Sequence, residues 1–517
     1  MVNKFVSSGA RLAGNKLISC EEITNTGYVF NASLEDIKIA GDQSNLSGVT
    51  HSILHGFNYN PEEAEFPGWI RYGTYFNERN TWWPYFNKWA DYKARLSYLF
   101  QNAELVSDIA VMHPLADMWR KYGPQRDPFP RLNYPDYQHN VWEAIHQNGN
   151  GCDYVSEKII QEASFNEGML RFGDRSYKAI ILLEVDSIEP DTARALAKYA
   201  ESGGKIIFID RAPHQAPGLQ NKARNDRQVN QSVQRLLNQF SESTGIYPAP
   251  GNEKLIDWYR GIQSGYDLSP DIMFDESSAY VSQLHYRSGE KDIYFFANYS
   301  NHIVYSSKVT FKRSDNRVPW LWDPETGDRY RYPLENSPNE LQLRLAPAET
   351  KLIVFDEPAE AEEWSIPEIN PSKTELLSGP WELTLDHVDG TSRSVKMESL
   401  KGFDTDPDLQ SFAGAAIYKK KFEVHDPEQF TFLDLGTVKG ISEVSINGNT
   451  RGSHWYGQHL YETGNSLEPG ENEITIKVTT VLGNYVKSLT DNEVAQRWTG
   501  GQELNKTGLI GPVKLIR

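Results

Sequence analysis

The sequence holds only two cysteines in 517 residues, Cys20 and Cys152. Neither a disulfide framework nor a cysteine-based metal cluster is available to it. Nowhere does it approach the ~18 uncharged apolar residues of a membrane-crossing helix, and the opening MVNKFVSSGARLAGNKL lacks the apolar run of a secretion signal. Positive charge is also scarce: 52 Lys and Arg stand against 70 Asp and Glu, a net charge of -18. An acidic field of that size repels phosphate backbones and anionic lipid, which argues against nucleic acid and membrane surfaces as partners. Low-complexity tracts and repeats of fixed period are absent, so disorder, solenoids and propellers are poor descriptions.

What is present is an ordinary folded composition, 39% hydrophobic and 24% charged, too long for one core. Three or four domains are expected. The 13 Trp and 27 Tyr offer flat faces with a polar edge that can stack on sugar rings, although most such rings serve as core.

Residues 1–90 are irregular in pattern and rich in aromatics. Within them Lys16 to Cys20 reads as a short buried strand leading to Glu21, and alternation from Thr50 to Gly56 puts His51, Ile53 and His55 on one strand face. Over 91–265 strands alternate with helices: VSDIAVMHP, AIILLEV and KIIFID are buried parallel strands. Between the last two, PDTARALAKYAESGG has Pro190 in a first helical turn, an apolar stripe of Ala193, Leu196, Ala197 and Ala200, and a Gly203-Gly204 stop. This βαβ pattern predicts a Rossmann-like or flavodoxin-like layer. No GxGxxG follows its strands, so a dinucleotide cradle is missing and the layer reads as structural. Short alternating strands over 266–356, with DPETG as a turn, predict a small antiparallel β domain. The Pro- and Glu-rich stretch 357–373 reads as a linker. Regular short strands between glycine turns over 374–517 predict a β-sandwich or jelly roll.

Seven collinear segments resemble one family: SSGARLAGNKLISCEEIT, HSILHGFNYNP, WWPYFNKWADYKARLSYLF to SDIAVMHP, YKAIILLEVDSIEP, YFFANYS, LWDPETG, and GISEVSINGNTRGSHWYG to the end. They are similar to glycoside hydrolase family 106, the α-L-rhamnosidases, and more loosely to the β-galactosidase-like enzymes of family 2. The resemblance implies a multidomain α/β plus all-β chain: a partial (β/α)8 barrel remnant contributing its last strands, the layered α/β domain, the small antiparallel domain and a galactose-binding-like jelly roll. It implies inverting hydrolysis of terminal α-L-rhamnose from plant or pectic glycans, and a periplasmic or secreted protein. It further implies that most of the barrel, with the general acid, lies upstream, in the same protein or a separate chain. A non-catalytic carbohydrate-binding accessory protein and a family 2-like β-glycosidase are the alternatives.

Glycoside hydrolysis needs two carboxylates flanking the bond. Glu21 ends a predicted strand, where barrel active sites lie, and matches the family's strand-seven glutamate, which makes it the candidate general base. Glu22 is the alternative one residue on, pointing the opposite way if the segment is extended. His51 and His55 are four apart, as in helical zinc pairs, but Gly56 and the alternation favour a strand and no third ligand is near, so no metal is assigned. Both are instead candidate substrate-binding residues at a strand end, together with Trp83 and Tyr75. In the sandwich, Trp455, Tyr456 and His459 form an aromatic cluster able to stack on sugar, with internal packing as the other reading. No cofactor is expected. Jelly rolls of this type sometimes hold a structural calcium, which leaves no short sequence signature.

Overall fold

The computed structural model describes residues 2–25, 28–123, 134–313, 315–334, 337–365 and 374–517. It is a mixed α/β molecule with several sheets.

The amino-terminal part is built on two short parallel strands, β1 (Ser19–Glu22) and β2 (His51–Leu54), with Ser19 paired to His51 and Glu21 to Ile53. They form a sheet of two strands. Helices α1 (Val2–Leu12), α2 (Leu34–Leu46) and α3 (Phe86–Gln101) accompany them. The start of α2 follows from its residues: the Ser33 side chain accepts from the Asp36 amide while the Asp36 carboxylate accepts from the Ser33 amide, a reciprocal cap that fixes where the loop after β1 becomes helix.

After α3 the chain does not pass directly into the α/β layer that the sequence places from 91. Glu104–Leu105 first adds an edge strand to an antiparallel sheet formed much later in the chain, opposite Arg287 and Tyr286. The parallel sheet then begins at Ile109–Met112. Its five strands lie in the order 244–247, 205–209, 179–183, 109–112, 152–154, all parallel. Counted along the chain this is 2-1-3-4-5, the flavodoxin-like order. The helix Pro190–Glu201 forms as its pattern predicts, with proline in the first turn, Ala193, Leu196, Ala197 and Ala200 buried, and Gly203 at φ +91° beyond its end.

The antiparallel region holds a six-stranded and a three-stranded sheet. Tyr294, Phe296 and Phe355 from the former pack with Val309, Phe311 and Leu343 from the latter. The linker expected at 357–373 lies outside the described residues from 366 onward. In the carboxy-terminal region a six-stranded antiparallel sheet, centred on Gly414–Val424 and Gly470–Thr479, shares one core with a four-stranded sheet that contains Phe432–Asp434 and Lys514–Ile516. Among the described residues no helix is long and apolar enough to cross a membrane.

Candidate active site

Parallel pairing decides what each side chain at the end of β1 and β2 can do. Residues in register share a face, so Ser19, Glu21, His51 and Ile53 stand on one side, and Cys20, Glu22, Ser52 and Leu54 on the other. The second side is covered by helices. Glu22 is only 3% exposed, its carboxylate 3.8 Å from the Lys93 ammonium of α3, and neither of its oxygens has a hydrogen-bond partner among the described residues. Lys93 is also held by the Gly41 carbonyl at 3.0 Å and the Asn45 side chain at 2.6 Å. Burial pushes the Lys93 amine below its usual value, and the Glu22 carboxylate opposes that shift. Glu22 is therefore packed between strand and helix, away from any open face.

The first side is open. Glu21 is exposed, and its Oε1 accepts a hydrogen bond from Thr24 Oγ1 at 2.9 Å, which orients it. It also lines a cavity of about 440 Å³ at the edge of β1, together with Ser19, Cys20, Thr24 and Asn3 and Val6 of α1. On the neighbouring strand the His51 Nδ1 lies 3.0 Å from Ser19 Oγ, a brace that fixes the ring. The ladder continues one residue past β2, where the His55 amide donates to the Glu22 carbonyl at 3.0 Å. The His55 ring stacks on Tyr72, centroids 4.9 Å apart, and its buried Nδ1 has no hydrogen-bond partner among the described residues. Gly73 makes that approach possible: at φ +103°, a Cβ there would sit 2.9 Å from the His55 carbonyl oxygen. Asn25 ties the two strand-end loops together, donating to Thr74 Oγ1 at 2.6 Å and accepting from the Gly73 amide at 2.7 Å.

The other expected site residues fall elsewhere. Tyr75 is fully buried in an apolar cluster with Phe30, its hydroxyl donating to the Pro67 carbonyl at 3.0 Å and its phenol pushed up to about 12 by burial. It cannot meet a ligand there. Trp83 is part of an aromatic stack, parallel to Phe86 at 5.1 Å and tilted against Phe57 at 5.8 Å. In the sandwich, Trp455 is 2% exposed and donates to Glu325 of the DPETG turn at 3.1 Å. The Tyr456 ring lies under the Lys38 ammonium of α2 at 4.3 Å. Both are wedged between three parts of the molecule because large aromatics at a junction gain more from burial than from solvent. His459 is 4% exposed and bonded through Nδ1 to Ser442 Oγ. Thr24, Ser19 and Tyr72 were not singled out in the sequence. Thr24 and Ser19 carry a signal in their spacing from Glu21, whereas Tyr72 is brought to His55 by a loop with no local pattern.

Among the described residues no group of three or more His, Cys, Asp or Glu side chains gathers as a metal site requires. What the open face offers is one oriented carboxylate, with the Ser19-braced His51 on the neighbouring strand, an arrangement suited to moving a proton and binding hydroxyl groups.

The sequence profile of the glycoside hydrolase family 106 α-L-rhamnosidases matches residues 3–333. The chain belongs to family 106. This family 106 chain is similar in structure to the rhamnosidase from Novosphingobium sp. PP1Y, with a TM-score of 0.70 and 24% identity, over 99% of this chain and 48% of that one. In sequence it is 25% identical over 362 residues to a putative β-glucuronidase of Formosa agariphila, covering 68% of this chain and 28% of that protein. The family 106 chain thus spans about half the length of the solved rhamnosidase and under a third of the curated relative.

Proposed function

We propose that this chain supplies the water-activating side of an inverting α-L-rhamnosidase site, with Glu21 as general base. The observation that carries the reading is the placement of Glu21. It sits at the carboxyl end of a parallel strand, on the face left open, with Thr24 orienting one oxygen. In the reaction Glu21 takes a proton from a water on the far side of the sugar ring as that water attacks the anomeric carbon, and a carboxylic acid ~6.5–9.5 Å away protonates the leaving oxygen. His51 and His55 hydrogen-bond the sugar hydroxyls, the first braced by Ser19 and the second by Tyr72. The chemistry requires no cofactor.

On the open face Glu21 is accompanied by Ser19, His51 and Ile53, none of which is an acid. We read the acid as contributed by another element, in this chain or in a second one. We read β1 and β2 as the last strands of a (β/α)8 barrel, the carboxy-terminal sheets over 374–517 as a galactose-binding-like jelly roll, and the substrate as terminal rhamnose of a plant or pectic glycan met outside the cytoplasm. The test is hydrolysis of 4-nitrophenyl α-L-rhamnoside, by the chain alone and joined by the completing strands, with the product followed by proton NMR. Inversion predicts β-L-rhamnose as the first anomer. Release of the α anomer first contradicts the base role, and glycan binding with no turnover in either form identifies an accessory protein instead.

A further inference from the structure

A cavity of about 700 Å³ lies between the loop that follows β1, the start of α2 and the edge of the carboxy-terminal sandwich, a volume within the range of small-ligand sites. Trp82 and Trp455 back its wall but are each only 2% exposed, so the aromatic face open to a ligand is that of Tyr28, 65% exposed. Its polar wall includes Asn25, Asn301 and Glu35. One Glu35 oxygen accepts from the Gly457 amide at 2.6 Å, and the other makes no hydrogen bond among the described residues. Lys439 and Lys506 line the same space, exposed and without an ion pair among the described residues. Two carboxyls, Glu35 and Asp36, stand against these two ammonium groups, so the wall carries no net charge to attract an anion. The buried His459 imidazole, lowered by burial, adds none.

An exposed aromatic face, that of Tyr28, beside donors and acceptors with charges that cancel matches the surface of an uncharged sugar, whose C–H faces stack while its hydroxyls donate and accept. We propose that this junction is a non-catalytic saccharide subsite that takes an uncharged oligosaccharide segment. Ile23, Thr24 and Asn25 form its wall on the β1 side, and Thr24 also touches Glu21. The subsite therefore receives the remainder of the glycan whose terminal sugar faces Glu21. That last step rests on the role proposed for Glu21; occupancy of the cavity does not.

The experiment titrates the full chain with cellotriose, galactotriose and xylotriose, none of which carries rhamnose, and with trigalacturonate, by saturation-transfer NMR. At least one neutral trisaccharide is expected to bind in the millimolar range. Tyr28→Ala, a surface change, and Glu35→Gln, which keeps an acceptor for Gly457, each weaken it at least about tenfold. The proposal is overturned if no neutral trisaccharide binds, if both cavity variants bind as the parent does, or if trigalacturonate binds more tightly than every neutral sugar. Because the probes lack rhamnose and the readout is binding, a failure of Glu21 as base leaves this result standing, and the reverse holds too.

Discussion

Glu21 and Glu22 are chemically alike and adjacent, yet strand alternation gives them opposite surroundings. One is exposed, its carboxylate oriented by the Thr24 hydroxyl, while the other is enclosed beside Lys93. Removing one member of such an enclosed pair leaves its partner uncompensated, at a cost of about 3 kcal/mol. Burial acts on histidine in the same physical terms. It holds the His459 imidazole down to about 3, whereas an unfolded histidine titrates near ~6.5. As pH falls below ~6.5 the unfolded chain takes up a proton that the folded chain refuses, so stability declines from there toward 3. His146, lowered by burial and further by Lys4 and Arg11, acts in the same direction. Thermal unfolding is expected at a lower temperature at pH 4.5 than at pH 7, with a shallower dependence in His459→Gln. A midpoint that does not move between those pH values contradicts the buried, neutral assignment.

Among the elements, the loop at 455–457 joins distant parts of the sequence. Its Trp455 bonds Glu325, its Tyr456 lies under Lys38, and its Gly457 amide bonds Glu35 at the start of α2. Since α2 follows directly from the loop after β1, the sandwich edge buttresses the element that carries Thr24 past Glu21. Truncating an indole so enclosed costs about 3–5 kcal/mol. Trp455→Ala is expected to lower the unfolding midpoint markedly in urea titration followed by tryptophan fluorescence and circular dichroism. An unchanged midpoint would return Trp455 to the role of a surface sugar platform.

Across the whole molecule, elements with a strong local period were legible in the sequence. The Pro190 helix, the buried runs at 109–112, 179–183 and 205–209, and the DPETG turn each follow from spacing and from proline or glycine position. The alternation that set Glu21 apart from Glu22 was legible for the same reason. Contacts made between regions were not. Nothing near Glu104 signals that it pairs with Arg287, nothing near Tyr75 tells a buried phenol from a sugar-stacking one, and nothing around Trp455 names Glu325 as its partner. These depend on which surfaces meet after folding, and single-sequence periodicity carries no such information.

In the mechanism proposed above, the open-face carboxylate of Glu21 does the chemistry and its enclosed neighbour Glu22 does not. The most direct measurement compares turnover of an aryl α-L-rhamnoside by the intact protein and by its Glu21→Gln and Glu22→Gln variants, with unfolding midpoints taken on the same preparations. A loss of about 10²–10⁴-fold in kcat is expected for Glu21→Gln at an unchanged midpoint. For Glu22→Gln, turnover within a few-fold of the parent and a lowered midpoint are expected. Full turnover by Glu21→Gln, or a comparable loss in a stably folded Glu22→Gln, would contradict that mechanism.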